Sequence, residues 1–85
     1  MNKKTKKWYH FTPEFADFLD ILIEETFGSK SELANCMRKC VEAAGLKTSK
    51  ACCMYDISYG GCPGDRLAVY RIAFKTLGYS GEVVE

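Results

Sequence analysis

Four lysines, Lys3, Lys4, Lys6 and Lys7, stand directly before Trp8, Tyr9 and His10. Ammonium groups set beside aromatic and imidazole rings can neutralise phosphates and donate to base edges, which is the chemistry of nucleic-acid contact. The bland reading is a solvated lysine arm, with Trp8 and Tyr9 in a core and His10 structural. Five cysteines offer a second chemistry. Cys36 and Cys40 are one helical turn apart, and with Cys52 and Cys62 they make the set from which a four-thiolate zinc site would be drawn. No C-x-x-C pair is present, and Cys52 is followed directly by Cys53. Packing as small apolar residues is therefore the preferred reading of the thiols, and no metal or other cofactor is expected.

Catalysis finds little support. No residue pair suggests a nucleophile with its base, and the one histidine lies in the basic segment. Gly60-Gly61-Cys62-Pro63-Gly64 is glycine-rich but lacks the Lys-Ser/Thr ending of a phosphate loop. The chain of 85 residues is too short for a barrel enzyme or a full dinucleotide-binding domain. A non-enzymatic protein is expected.

Charge is unevenly spread behind a net value of +1. Residues 1–12 carry the four lysines and no acid. Residues 13–27 carry Glu14, Asp17, Asp20, Glu24 and Glu25 and no base. One basic face meeting an anionic partner is the implied arrangement. The apolar stretches fall short of the roughly 20 residues that span a bilayer, and no apolar run follows the lysines as in an export signal. A cytoplasmic protein with mostly reduced cysteines is expected.

The elements that must position these residues follow from spacing. Residues 4–11 favour extended structure through Trp8, Tyr9 and Phe11. Thr12-Pro13 is a helix start, and Phe15, Phe18, Leu19, Leu22 and Ile23 form an apolar face over residues 13–26. Gly28 breaks this helix. Ser29 with Glu32 makes a capping-box pattern for a second helix, whose stripe is Leu33, Met37, Cys40, Val41 and Ala44, ended by Gly45. Beyond it, Thr48 or Ser49 can cap a short helix through Met54, residues 58–64 read as a loop, and Asp65 can cap a helix over residues 66–77. Residues 82–85 are a short tail.

The first half resembles the ribbon-helix-helix (Arc/MetJ-like) DNA-binding proteins. The match is carried by Phe11-Thr12-Pro13-Glu14-Phe15, then Leu19, Leu22 and Ile23, then Phe27-Gly28-Ser29-Lys30-Ser31-Glu32-Leu33. The resemblance covers residues 4–45. It implies a mainly α protein with one N-terminal strand and two helices, forming an intertwined homodimer whose paired strands enter the major groove of double-stranded DNA. Residues 46–85 would be a helical C-terminal extension packed on the motif at residues 1–45. In that arrangement Phe11 and Tyr9 point into the core, and Lys6, Trp8 and His10 contact bases. Trp8 is bulky for such a face, and a one-residue slip would put Lys7 and Tyr9 there instead. Ser29 and Lys30 would hold a phosphate at the second helix N-terminus, with Lys3 and Lys4 on neighbouring phosphates.

The implied function is a sequence-specific transcriptional repressor of phage or plasmid type. Two other readings stand beside it. One is a helix-turn-helix domain built from residues 31–46, 48–59 and 66–77, with a Leu77-Gly78-Tyr79 ending similar to the last helix of Cro-like repressors. The other is a protein-binding inhibitor or antitoxin that uses the apolar C-terminal extension as its interface. The extension is expected to cover Phe18 and Ile21 of the first helix.

Overall fold

The computed structural model describes residues 7–85. Trp8–His10 is extended and forms β1. The predicted positions Lys3, Lys4 and Lys6 lie outside the described residues. Thr12 follows as an N-cap: its hydroxyl accepts from the Phe15 amide at 3.1 Å and donates to the Glu82 carbonyl at 2.8 Å. Pro13 then opens α1, Pro13–Leu22. The helix continues as one π-wound turn, Ile23–Phe27, closed by the Gly28 amide donating to the Ile23 carbonyl at 2.8 Å. The predicted single helix over residues 13–26 therefore changes winding in its last turn.

The second helix, α2, spans Lys30–Ala43. Ser29 caps it by accepting from the Glu32 amide at 3.1 Å, as the spacing requires. Its end is a Schellman turn: Leu46 N–H reaches the Val41 carbonyl and Gly45 N–H the Glu42 carbonyl. Gly45 takes φ +88° there, a conformation that a side chain would strain. Ser49 caps α3, Lys50–Tyr59, which is longer than its sequence suggested. The predicted loop at residues 58–64 contains β2, Gly61–Pro63. Finally α4 spans Gly64–Thr76. Asp65 sits inside its first turn, where Oδ1 accepts from the Arg66 amide at 2.9 Å.

The fold is mainly α, four helices with a small two-stranded sheet, and the intertwined ribbon is corrected here. β1 pairs antiparallel with β2 of its own chain, Tyr9 opposite Cys62. Its other edge is also taken near its end: the Glu85 amide donates to His10 O and the Thr12 amide to Val83 O. Phe11 bridges Val84 as well. Among the described residues, this strand is therefore paired within its own chain and not as an intertwined ribbon. The sequence concealed this because β2 is three residues of Gly, Cys and Pro, a composition that reads as a turn.

One core collects side chains from both halves of the chain: Phe11, Phe15 and Leu19, Leu33, Met37 and Val41, Cys53 and Cys62, Leu67, Tyr70 and Phe74, and Val83 with Val84. Phe15 is fully buried at its centre, edge-on to Phe11 at 4.9 Å and to Phe74 at 5.0 Å between ring centroids. The C-terminal residues do cover Phe18, which meets Phe74 and Tyr79. They leave Ile21 half exposed. On α4, Ile72 and Leu77 lie at the surface. Among the described residues, no helix is long and apolar enough to cross a membrane.

Candidate nucleic-acid interface

The site is built outward from a buried charge. Asp56 on α3 is fully buried. Arg66 on α4 grips it with two parallel bonds, Nε to Oδ2 at 2.8 Å and Nη2 to Oδ1 at 2.9 Å. Tyr70 adds its hydroxyl to Oδ2 at 2.7 Å, and Cys53 Sγ lies 3.5 Å from the same hydroxyl. A fork-shaped guanidinium meeting a carboxylate fixes distance and angle together. The bond to Asp56 holds the Arg66 guanidinium firmly charged, its pKa raised. Burial raises the Tyr70 phenol, keeping it a donor. The cluster pins α3 to α4 and consumes the one carboxylate in the sequence of α3.

With Asp56 turned inward, the opposite face of α3 is set by helical geometry. Ala51, Cys52, Tyr55, Ser58 and Tyr59 are exposed, at spacings that share one side of a helix. The Tyr55 and Tyr59 rings lie 4.3 Å apart between centroids, tilted by 34°. Trp8 from β1 meets Tyr55 edge-on at 5.7 Å. Trp8, Ala51, Cys52, Tyr55, Pro63 and Arg66 line an open groove of about 420 Å³. At the other end of the face, Lys30 donates to the Ser58 hydroxyl at 3.0 Å. Lys50, the first residue of α3, and Lys47, in the connection before it, are exposed.

The predicted DNA-contact residues are thus partly regrouped. Trp8 and Lys30 come to one surface, joined by α3, and Ser29 serves as the cap of α2 beside Lys30. His10 is exposed on β1, and Lys7 lies over the Tyr9 ring at 5.1 Å. Tyr55 and Tyr59, apolar residues of the C-terminal extension, are 53% and 67% exposed. Their spacing with Ala51, Cys52 and Ser58 was the available signal. The signal is faint because α3 carries apolar residues on all sides and shows no stripe in the sequence.

The thiols divide by environment. The Ser49 hydroxyl lowers the exposed Cys52, with Arg66 acting in the same direction. Burial raises Cys36 and Cys53, and pushes Cys62 up to about 12. Cys36, Cys40, Cys52 and Cys62 are not gathered: among the described residues no group of three or more His, Cys, Asp or Glu side chains is arranged to hold a metal. Comparison of the chain with protein-family models, with curated proteins and with solved structures finds no match.

Proposed function

We propose that this protein binds double-stranded DNA through α3, in a helix-turn-helix manner, as a regulator of transcription. The observation that carries the reading is the exposed face of α3. Its only acid is buried against Arg66, and its outward side chains are small, aromatic or hydroxylated. Such a face fits a major groove: Ala51 suits a thymine methyl, Cys52 and Ser58 suit base edges, and Tyr55 suits either. Lys47 and Lys50 stand where phosphates flank an inserted helix, and Lys30 stands at the far end. The lysine-rich start of the chain leads into Trp8, at the edge of the same face. The connection between α2 and α3, residues 44–49, is longer than the three or four residues of the compact motif.

The test is fluorescence anisotropy with a labelled random duplex, followed by selection from randomised sequences. The expected affinity falls steeply with salt, and Lys47→Ala and Lys50→Ala each reduce the logarithmic salt slope by about 1. Tyr55→Ala should weaken the selected sequence more than the random one. Binding that ignores salt, or that survives all three substitutions unchanged, overturns the proposal. Preference for single strands over duplex replaces groove reading by base stacking on Trp8, Tyr55 and Tyr59.

A further inference from the structure

Cys36 and Cys40 stand four residues apart on α2, both half-buried and both free thiols. The two are hydrogen-bonded to one another. Side chains at this spacing share one helix face, with Cβ atoms about 5–6 Å apart. A disulfide needs its Cβ atoms at about 3.5–4.5 Å, so a direct sulfur–sulfur bond would deform the helix. One atom held between the sulfurs closes the same gap without moving the backbone. The surroundings offer such an atom no harder donor. Beside Cys40 lies a shallow groove of about 420 Å³ whose other side chains, among them Ala43, Ala44, Val69 and Ile72, carry neither oxygen nor nitrogen. On the flank, the Glu42 carboxylate is held by Arg38 at 2.7 Å.

We propose that Cys36 and Cys40 form a two-thiolate site for a soft monovalent metal ion, copper(I). The ligand count decides the ion. Zinc asks for four ligands in a tetrahedron, and among the described residues no third His, Cys, Asp or Glu side chain joins the pair. Calcium and magnesium ask for oxygen. Copper(I) is selected by soft thiolates, and its filled d shell is satisfied by two of them in a near-linear S–Cu–S unit. Binding replaces two S–H bonds by two Cu–S bonds and releases two protons, with no change of oxidation state. The unit formed carries one net negative charge. Burial, then Cys40, raise the Cys36 thiol, and the exposed Lys39 ammonium opposes them by favouring the thiolate. The same ammonium offsets the charge of the loaded site. Both thiols belong to α2, so the site does not rest on the proposed nucleic-acid binding through α3.

The experiment titrates the reduced full chain with copper(I) in the absence of oxygen, against bicinchoninate, a coloured copper(I) chelator. The expected result is one ion per chain withheld from the chelator. Cys36→Ser and Cys40→Ser should each weaken binding by about a hundredfold or more, since losing a ligand costs at least as much as losing its outer partner. Cys52→Ser should leave it nearly unchanged, although Cys52 is the exposed thiol. The double variant Cys40→Ser/Ala43→Cys keeps the number of thiols but sets the pair about 10 Å apart along the helix, and should bind no better than Cys40→Ser. Far-UV circular dichroism confirms that each variant folds. X-ray absorption at the copper edge needs no variant and should show two sulfur neighbours, and sedimentation should show no change of mass on loading. A chain that yields its copper to the chelator overturns the proposal. So do three or more sulfur neighbours, a copper-linked dimer, a loss on Cys52→Ser equal to that on Cys36→Ser, or full binding by the respaced double variant.

Discussion

Two helices in this molecule, α1 and α3, manage their carboxylates in opposite ways. Along α1 and its π-wound turn, Glu14, Asp17, Asp20, Glu24 and Glu25 all face solvent, and the core side belongs to Phe15, Leu19 and Leu22. On α3 the carboxylate goes inward and the aromatic rings go outward. The first pattern is what water and a core impose on an ordinary surface helix. The second is costly, because a buried charge must be matched by a partner and tyrosine rings must be left wet. The comparison shows where the chain departs from the cheapest arrangement, and that departure marks α3 as the face to test.

The largest effect should come from breaking the inward carboxylate. Arg66→Met leaves Asp56 buried without its cation, and stability should fall by about 3–5 kcal/mol in a urea titration. Asp56→Leu combined with Arg66→Met and Tyr70→Phe should recover much of that loss, since the three apolar side chains leave neither an unmatched charge nor an unpaired hydroxyl. A single Arg66→Met variant as stable as the parent would mean that α3 and α1 are not organised differently after all.

Next is the contact that seats Trp8. A Cβ at Gly61 would run into the Trp8 indole and into the Tyr9 carbonyl at 2.5 Å. Gly61→Ala should therefore cost about 1–3 kcal/mol and shift the emission of Trp8, the one tryptophan in the chain. An unchanged spectrum would separate β1 from the α3 surface.

Alkaline pH gives a graded test of the thiols beneath α3. The Cys62 thiol has an ordinary value of 9.0 and is pushed up to about 12 in the fold. Its contribution is therefore complete below pH 9, where it is protonated in both states. Above pH 9 the unfolded chain loses the proton first, so stability should fall by about 1.4 kcal/mol per unit until pH approaches 12. Urea midpoints between pH 8 and 10.5 should show this slope, and Cys62→Ala should lessen it. Cys52 behaves in the opposite sense. Its lowered, exposed thiol should be alkylated first by iodoacetamide, and the buried Cys53 and Cys62 last.

The smallest effects belong to the two exposed faces. Asp17→Asn on α1 and Tyr59→Ala on α3 should each change stability by about 0.5 kcal/mol or less. They should part company in DNA binding, which only Tyr59→Ala should weaken. Equal behaviour in both assays would erase the functional side of the comparison.

Much of the local structure was legible in the residues. Thr12-Pro13, Ser29 with Glu32, and Gly45 marked helix ends through backbone needs that neighbouring atoms satisfy. The stripe Phe15, Leu19 and Leu22 marked a core side through its period. Such signals act within a turn or two of chain, so sequence alone determined where α1 and α2 begin and where α2 ends. The partner of β1 was different. Gly61–Pro63 lies about fifty residues away and acquires strand character only by pairing. The direction of Asp56 was equally hidden, because a carboxylate goes inward only where Arg66 and Tyr70 are waiting. Tertiary structure decided those two points. Together they closed β1 against a ribbon and turned the aromatic face of α3 to solvent, since pairing and charge matching depend on atoms that the chain brings together only when it folds.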